Sequence, residues 1–447
     1  MGQLWPKSLQ GRIRNLSLAL VATVGSLWGQ SGTVKEVFTF PDIPLRVFQN
    51  SFLPGTVSDD HNINFGGMGS GLWHDPSDGP GIFWMVTDRG PNGQIRVGTQ
   101  NRRTFPVPEF TPFILKVKAE NGTLTLLEAI PITGLGPAVS GVTGISNASR
   151  DEAPFDCSAT TPLAFNPHGL DREDLVRTND GTFWLVEEYS PSIVKVDATG
   201  KVLKRFLPAG LTPPTVTTGY VSVEVLPSIF GAKRKRNRGF EGAALSPNQK
   251  TLWVVLQSPL SNPNATIGDA SRNTRILEFD LQSETVVAEF VYRFQPVTEF
   301  GDTNPAEMKV SGLTALDEHG LLVLERTDKV AKLFRVDLRK ATNILGTKWD
   351  GVATSPSLEA LNEIQLADEG VGVLPKDLVI DLSTLPGVPE KIEGVVHLND
   401  GKTIAISNDN DFGIGSFAIS ASSCTLVDSG VKSQLLIIET DKPLKSH

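Results

Sequence analysis

A repeated strand–turn–strand unit constrains this chain more than any other feature of its 447 residues. Each copy opens with a small or acidic residue beside glycine, passes through a turn, and ends in an apolar strand with a polar residue after it. Five copies begin at Ser70, Gly169, Phe240, Ser311 and Ile392. Units of this length bury a shared core only by packing against one another.

The spacing inside the copies predicts hairpins in a common register. The opening and closing polar residues are 16 apart from Glu241 to Gln257, 14 apart from Ser311 to Glu325, and 15 apart from Glu393 to Asn408. Five such hairpins, separated by long inserts, predict an all-β fold: a single β-propeller of about six blades. A β-sandwich with coincidental hairpins is the alternative, but it does not explain acids at the same point of several repeats.

Segments with a weaker repeat pattern are expected to supply the blades beyond these five. These segments are 110–132 and the C-terminal strand QLLIIET, which we expect to complete a blade begun by the N-terminal strand VKEVFTF. Short apolar runs bounded by Gly, Pro, Asn and Asp dominate the rest, and long helical periodicity is missing. We therefore predict one propeller domain over residues 31–447.

The N-terminus resembles an export signal. Lys7, Arg12 and Arg14 precede an apolar stretch from Leu16 to Gly29 that is too short to span a bilayer comfortably. We predict that residues 1–30 are a signal peptide and that the protein is secreted or periplasmic, with no membrane association after cleavage. A buried core helix is the alternative for this stretch.

Charge and cysteine content narrow the partners. A net charge of −9 argues against nucleic acid, because phosphate backbones require clustered Lys and Arg. We expect a monomer that acts on a small molecule. The two cysteines, Cys157 and Cys424, form a disulfide in an oxidising compartment or remain two unrelated thiols, and the sequence leaves both open.

Carboxylates recur at the ends of the repeats. Glu173, Glu241 and Glu393 hold the opening position of three copies, and Ser70 and Ser311 hold it in the other two. Acids at the closing strands are Asp88, Glu188 or its neighbour Glu187, Glu325 and Asp409. Equivalent positions of a propeller converge on the central channel, so we expect these oxygens to bind Ca²⁺, which accepts 6–8 oxygen ligands. The alternative for each acid is an ordinary solvated residue.

Two arginines follow closing acids and are candidate catalytic residues. Arg89 and Arg326 could hold a phosphate or carboxylate through the planar guanidinium, or they could neutralise neighbouring acids. The basic run at 233–238 could attract an anion, although such runs are more often solvated loops. His61, His74 and His168 lie near repeat starts, where a polar or packing role is favoured over that of a general base.

Several of these segments together are similar to a known family. GMGSGLWHDPSDGPGIFWMVTDRGPNG, DGTFWLVEEYSPSIVKVD, NRGFEGAALSPNQKTLWVVLQSPL, LLVLERTD and EGVVHLNDGKTIAISNDNDFG resemble the phytase-like domain called "esterase-like activity of phytase", over roughly Phe48 to Ile438. The resemblance implies an exported β-propeller hydrolase that uses calcium and acidic channel residues. Glu241 and Glu393 are the best matches to those acids, and Glu173 in GLDREDL is a weaker one.

Three functions remain open on the sequence. The first is a calcium-dependent hydrolase of phosphate esters in which Glu241 positions the attacking water. The second is a metal-dependent carboxylesterase or lactonase. The third is a binding module in which the cation only joins the blades.

Overall fold

The computed structural model describes residues 31–134, 142–147, 151–211, 221–398, 400–420 and 423–444. The predicted signal peptide at residues 1–30 lies outside these ranges. None of the helices within them is long and apolar enough to cross a membrane.

Strands are the main regular secondary structure of the described chain. The strands of its first half are β1 Gly32–Thr39, β2 Gly71–Trp73, β3 Ile82–Val86, β4 Gly93–Val97, β5 Gln100–Thr104, β6 Phe113–Glu120, β7 Thr123–Pro131, β8 Pro154–Phe155, β9 Arg172–Arg177, β10 Phe183–Glu187, β11 Ser192–Val196, β12 Val202–Pro208 and β13 Val221–Leu226. Those of its second half are β14 Phe240–Leu245, β15 Thr251–Leu256, β16 Asn273–Asp280, β17 Thr285–Arg293, β18 Lys309–Ala315, β19 Gly320–Arg326, β20 Ala331–Asp337, β21 Lys376–Asp381, β22 Ile392–His397, β23 Thr403–Asn408, β24 Ile414–Ser420, β25 Ser423–Asp428 and β26 Gln434–Thr440.

Helices are short and lie in the connections. The α-helices are α1 Leu45–Phe52, α2 Ser228–Lys233, α3 Ala265–Ala270 and α4 Glu363–Asp368. Single 3₁₀ turns occupy Val297–Phe300, Pro305–Glu307, Leu338–Lys340, Lys348–Asp350, Leu358–Ala360, Leu382–Thr384 and Asp411–Gly413.

The strands form a β-propeller, as the repeat predicted. From the centre outwards, the blades are β2–β3–β6–β7, β9 through β13, β14 through β17, β18 through β21, and β22–β23–β26–β1. Their innermost strands, β2, β9, β14, β18 and β22, are neighbours in a closed ring. Five apolar clusters fill the five spaces between adjacent blades, so the ring closes through its core as well.

The expected number of about six blades is therefore corrected to five for the described residues. The segment 110–132 was expected to form part of a further blade, but it contains β6 and β7, the outer strands of the first blade. The C-terminal strand β26 pairs antiparallel with β1 from Gly32↔Thr440 to Thr39↔Gln434, as expected, and this completes the last blade.

Burial explains the sequences of the second strands. β10 (FWLVE) is buried at every residue, and β15 and β19 are buried at all but their first. Each lies inside a blade whose two faces are covered by neighbouring blades, so both faces require apolar side chains. The alternation of half-buried strands is consequently absent there.

Two inserts emerge on one side of the ring. The first is a three-stranded sheet, β4–β5–β8, and the second is the hairpin β24–β25. A disulfide joins Cys157 and Cys424 across them, with their Cα atoms 5.6 Å apart, which settles the alternative left open by the sequence.

Candidate functional site

A β-bulge recurs at the opening position of the inner strands. The strand pairing skips Glu173 in β9, Glu241 in β14, Ser311 in β18 and Glu393 in β22. A bulge places one extra residue against the partner strand and re-aims its side chain. The same irregularity in four blades therefore turns these four side chains to equivalent directions at the channel, and Ser70 precedes β2 at the corresponding point.

Close packing between inner strands explains the glycine that follows the bulge. A Cβ on Gly242 would lie 3.0 Å from the backbone of Gly312, one on Gly312 would lie 2.7 Å from the Glu393 carbonyl oxygen, and one on Gly394 would lie 2.8 Å from Leu72 Cβ. The EG and SG steps of the repeat thus come from the narrowness of the ring. In the second blade Asp174 stands in that place, and its Oδ2 accepts a hydrogen bond from the Ala243 N–H at 2.8 Å.

A second ring of side chains comes from the residue at the end of each blade's second strand, or one or two positions after that end. The backbone N–H of Glu188 donates to the Asp171 carbonyl at 2.9 Å, that of Gln257 to Gly239 at 2.9 Å, and that of Asp409 to Lys391 at 3.0 Å. In the fourth blade the same position belongs to Arg326, which pairs with Lys309. The members of this ring are Asp88, Glu188, Gln257, Arg326 and Asp409.

Glu325 is not brought to this ring. It precedes Arg326 in β19, so its side chain points to the opposite face of the strand. There its carboxylate accepts hydrogen bonds from the Tyr292 hydroxyl at 2.7 Å, the Lys376 ammonium at 2.5 Å and the Gln295 N–H at 2.5 Å. Glu187 faces away in the same manner and pairs with Arg205 at 3.1 Å, which selects Glu188 as the channel residue of that pair.

The second blade contributes a compact group of three carboxylates. Ligand oxygens of Asp171, Glu173 and Glu188 all lie within 4.8 Å of one another, and all three residues are buried. Burial, followed by the charge of Glu241, raises the pKa of both Glu173 and Glu188 well above the ordinary value. The pKa of Asp88 is raised well above its usual range by burial and by the nearby charges of Asp409 and Asp171.

Glu241 and Glu393 adjoin this group but differ in their partners. Burial and the charge of Glu393 raise the pKa of Glu241 to about 8. Burial also raises the pKa of Glu393, while Arg326, to which it is hydrogen-bonded, opposes the shift. Asp409 pairs with Lys391 at 2.9 Å; burial opposes ionisation there, but the ammonium of Lys391 keeps the pKa of Asp409 below its ordinary value.

The donor set fits a hard cation. Glu188 Oε1 and Glu241 Oε2 are among the buried carboxylate oxygens that have no hydrogen-bond partner within the described residues. An unpartnered buried carboxylate oxygen is costly unless a positive charge compensates it. Several carboxylate oxygens close together are the ligands that Ca²⁺ prefers.

The two predicted arginines are both held by acids. Arg89 lies 3.1 Å from Asp171 Oδ2 and 3.7 Å from Glu188 Oε2, and it donates to Asn237. Arg326 donates to Ser311 Oγ at 2.6 Å and to Glu393. Both therefore neutralise and position channel acids.

One channel residue, Asp171, was not predicted from the sequence, and Arg238 was predicted only as part of the basic run at 233–238. Asp171 lies two residues before the bulge, where other blades have Gly239, Lys309 and Lys391, so no acidic pattern marks the position. Arg238 ends the basic run and donates to Gln257 Oε1 at 2.8 Å. Its neighbour Gly239 would place a Cβ 2.1 Å from the Glu188 carbonyl oxygen, so glycine is required for this loop to pass the second blade.

The histidines named in the sequence analysis and one further cavity lie elsewhere. His61 is 3.6 Å from Asp59, and His74 Nδ1 is 2.8 Å from the Ile82 carbonyl oxygen. Burial lowers the pKa of His168. A cavity of about 420 Å³ is lined by residues of the 40–65 segment and of the β24–β25 hairpin, beside the fifth blade.

Comparisons with known proteins give relatives of two kinds. The chain is 30% identical over 274 residues to an "Uncharacterized secreted protein" of Arthroderma benhamiae, an alignment that covers 52% of each, so the chain spans about half the length of this curated relative. Among solved structures, PhoX of Pseudomonas fluorescens in complex with vanadate matches with 11% identity and a TM-score of 0.39, covering 92% of this chain and 95% of that one. An aldose sugar dehydrogenase of Streptomyces coelicolor matches with 11% identity and a TM-score of 0.34, covering 92% and 99%.

The family assignment agrees with the motifs around the channel. The Phytase-like family, described as "Esterase-like activity of phytase", matches residues 63–412, which include every bulge and every closing residue of the channel. The chain belongs to this family.

Proposed function

We propose that this protein is an exported, calcium-dependent hydrolase of small phosphate esters. The observation that carries the proposal is the second blade's carboxylate group, Asp171, Glu173 and Glu188, beside the unpartnered oxygen of Glu241. The family description supports ester hydrolysis as the class of reaction.

The residues that would hold the cation are Asp171, Glu173, Glu188 and Glu241. When bound, calcium supplies positive charge that offsets the phosphate and lowers the pKa of a ligand water. Arg89, ion-paired to Asp171 and close to Glu188, keeps two of these carboxylates in place.

The chain's own groups account for the proton transfers. Water adds to phosphorus while the ester P–O bond breaks, and the products are an alcohol and inorganic phosphate. Glu241, a buried acid whose Oε2 has no hydrogen-bond partner among the described residues, would accept the proton that the water loses. The same proton is then available for the departing alkoxide oxygen. Arg326 acts through Glu393, to which it is hydrogen-bonded, as a positioning residue.

Export is part of the proposal for two reasons. The Arthroderma relative is called a secreted protein. The disulfide between Cys157 and Cys424 persists in oxidising compartments outside the cytoplasm.

The test compares two ester classes with one metal. The full chain, stripped with chelator, should show no hydrolysis of a phosphate monoester, and addition of calcium should restore it. A neutral carboxylic ester of the same alcohol serves as the competing substrate. Calcium-dependent turnover of the carboxylic ester alone would assign the chain to the esterases, and turnover of neither ester would leave a binding protein.

A further inference from the structure

The side of the channel opposite the second blade carries cations. In the fourth blade Lys309 and Arg326 are directly paired residues of adjacent antiparallel strands. Like charges placed opposite each other destabilise a sheet, so a retained pair of this kind calls for an anion nearby. Lys309 and Arg326 share one described anion, Asp328, at 2.6 and 3.0 Å, and the Asp328 side chain is 54% exposed.

A third cation, Arg238, approaches the same place from the loop before the third blade. Among the described residues its guanidinium makes one hydrogen bond, to the neutral amide oxygen of Gln257 at 2.8 Å. No carboxylate within the described ranges lies within 4 Å of its guanidinium, in contrast to Arg89 and Arg326. Arg238 is thus a half-buried cation of the channel with hydrogen-bonding capacity left over.

Contacts of its neighbours place Arg238 between the two sides of the channel. The adjacent Gly239 passes the Glu188 carbonyl of the second blade, and Gln257, which accepts the Arg238 hydrogen bond, also accepts at its carbonyl from the Val310 N–H of the fourth blade at 2.9 Å. The pKa of Lys309 in the fourth blade is lowered by burial, and then by the charges of Arg326 and Arg238. Arg238 therefore lies where the second, third and fourth blades meet.

We propose that Arg238 and Lys309, with Arg326 behind them, form an anion subsite that takes the dianionic phosphoryl group of a phosphate monoester. Resting on the proposed function, the inference specifies which side of the channel receives the substrate's charge. The planar guanidinium of Arg238 donates two parallel hydrogen bonds to phosphate oxygens, and the ammonium of Lys309 adds a point charge. A neutral carboxylic ester gains nothing from this subsite.

The experiment measures inorganic phosphate binding to the calcium-loaded full chain by calorimetry. Arg238→Gln should weaken binding about tenfold or more, as expected for loss of hydrogen bonds between charged groups. Arg236→Gln is the matched control, because it removes the same charge from an exposed position of the same basic run. In turnover, Arg238→Gln should raise KM for the phosphate monoester and leave KM for the neutral carboxylic ester unchanged.

The outcomes separate this inference from the proposed function. Phosphate binding that depends on Arg238, in a protein without phosphatase activity, supports the subsite and removes the proposed function. Calcium-dependent phosphatase activity with equal phosphate affinity in Arg238→Gln and Arg236→Gln overturns the subsite and keeps the function. Should Arg238→Gln not fold, Arg238→Lys, which keeps the charge and loses the planar fork, must bind phosphate more weakly than wild type. Unchanged affinity in that variant would overturn the subsite.

Discussion

The second and fourth blades use the same three backbone positions differently: the second has an acid at all three, and the fourth has a cation at two of them and a serine at the third. The second blade places Asp171, Glu173 and Glu188 there, and the fourth places Lys309, Ser311 and Arg326. Pseudosymmetry of the ring makes the backbone positions equivalent, whereas the side chains at those positions differ. The channel therefore has an acidic side and a basic side. A symmetric fold can therefore build an asymmetric site by changing side chains alone.

The two sides also differ in how their charges are balanced. On the basic side, Arg326 and Lys309 have Glu393 and Asp328 as partners. On the acidic side, the pKa values of Glu173 and Glu188 are raised by burial and then by the charge of Glu241, and Arg89 compensates only in part. The comparison predicts that the acidic side depends on a bound cation and that the basic side does not.

The largest effect is expected from neutralising the acidic side. Glu188→Gln should weaken calcium binding by at least about 100-fold, since even partners of metal ligands contribute about 10–100-fold to affinity. Calorimetry on chelator-stripped protein measures this. Glu439→Gln, on a half-exposed residue of β26, is the control and should keep wild-type affinity. Equal calcium affinity in the two variants would contradict the assignment of the site.

Glu241 and Glu393 hold equivalent positions of the repeat, yet their replacement should affect stability without calcium differently. Glu393→Gln removes the carboxylate that Arg326 binds and should lower the free energy of unfolding by about 2 kcal/mol, the usual contribution of a hydrogen bond between charged groups. Glu241→Gln should leave stability level or raise it, because Glu241 Oε2 has no described partner and its charge is crowded. Urea denaturation in chelator compares them, and a similar loss in both variants would refute the distinction.

Glu289, a buried acid outside the channel, tests whether burial alone makes the effect of an acid on stability depend on calcium. Burial raises the pKa of Glu289 in β17 to about 8, with Arg275 opposing and Asp350 adding to the shift. A raised pKa means that the stabilising contribution is present below the ordinary value of 4.5 and is lost as pH rises through about 8. Glu289→Gln should gain about 1.4 kcal/mol on wild type between pH 5 and pH 9, the value of one pKa unit once relaxation has reduced the full shift.

Calcium is the control for that experiment. The gain of Glu289→Gln should be the same with calcium and with chelator, because Glu289 pairs with Arg275 at 2.7 Å within the third blade and its connections. A gain that disappears in calcium would connect this acid to the metal site and contradict the comparison.

The smallest effect on calcium is expected at Glu325. Glu325→Gln loses the ion pair with Lys376 and should lower the melting temperature, yet calcium affinity per folded molecule should stay within about twofold of wild type, since the residue faces away from the channel. Calorimetry beside thermal denaturation tests both. Loss of calcium binding in a folded Glu325→Gln protein would restore this residue to the site.

Much of the architecture could be predicted because the repeat records it directly. Glycine after an opening polar residue marks the close approach of inner strands, and the strand pair β1–β26 followed from unpaired strands at the two chain ends. The blade count was overestimated because outer strands carry no repeat signature: β6 and β7 resemble a separate hairpin in sequence.

Errors at the site came from a one-residue uncertainty in register. Gln257 and Asp409 lie 16 positions after the bulge residue of their blade, whereas Glu188 and Arg326 lie 15 positions after theirs. The spacing of 14 residues from Ser311 predicted Glu325 as the closing residue, one position before Arg326. A shift of one residue in a strand moves the side chain to the opposite face. Asp171 and Arg238 could not be found by repetition, because the other blades have unlike residues there.

The pairing of β1 with β26 has a consequence for how this protein reaches its native state. The outer edge of the last blade is a strand that precedes the other four blades in the chain, and its partner follows all of them. Contacts between distant parts of a chain form slowly, and an unpaired β-strand is open to wrong partners meanwhile. A circular permutant that begins between the fourth and fifth blades would turn this long-range pairing into a local one, and we expect it to fold faster and aggregate less during refolding.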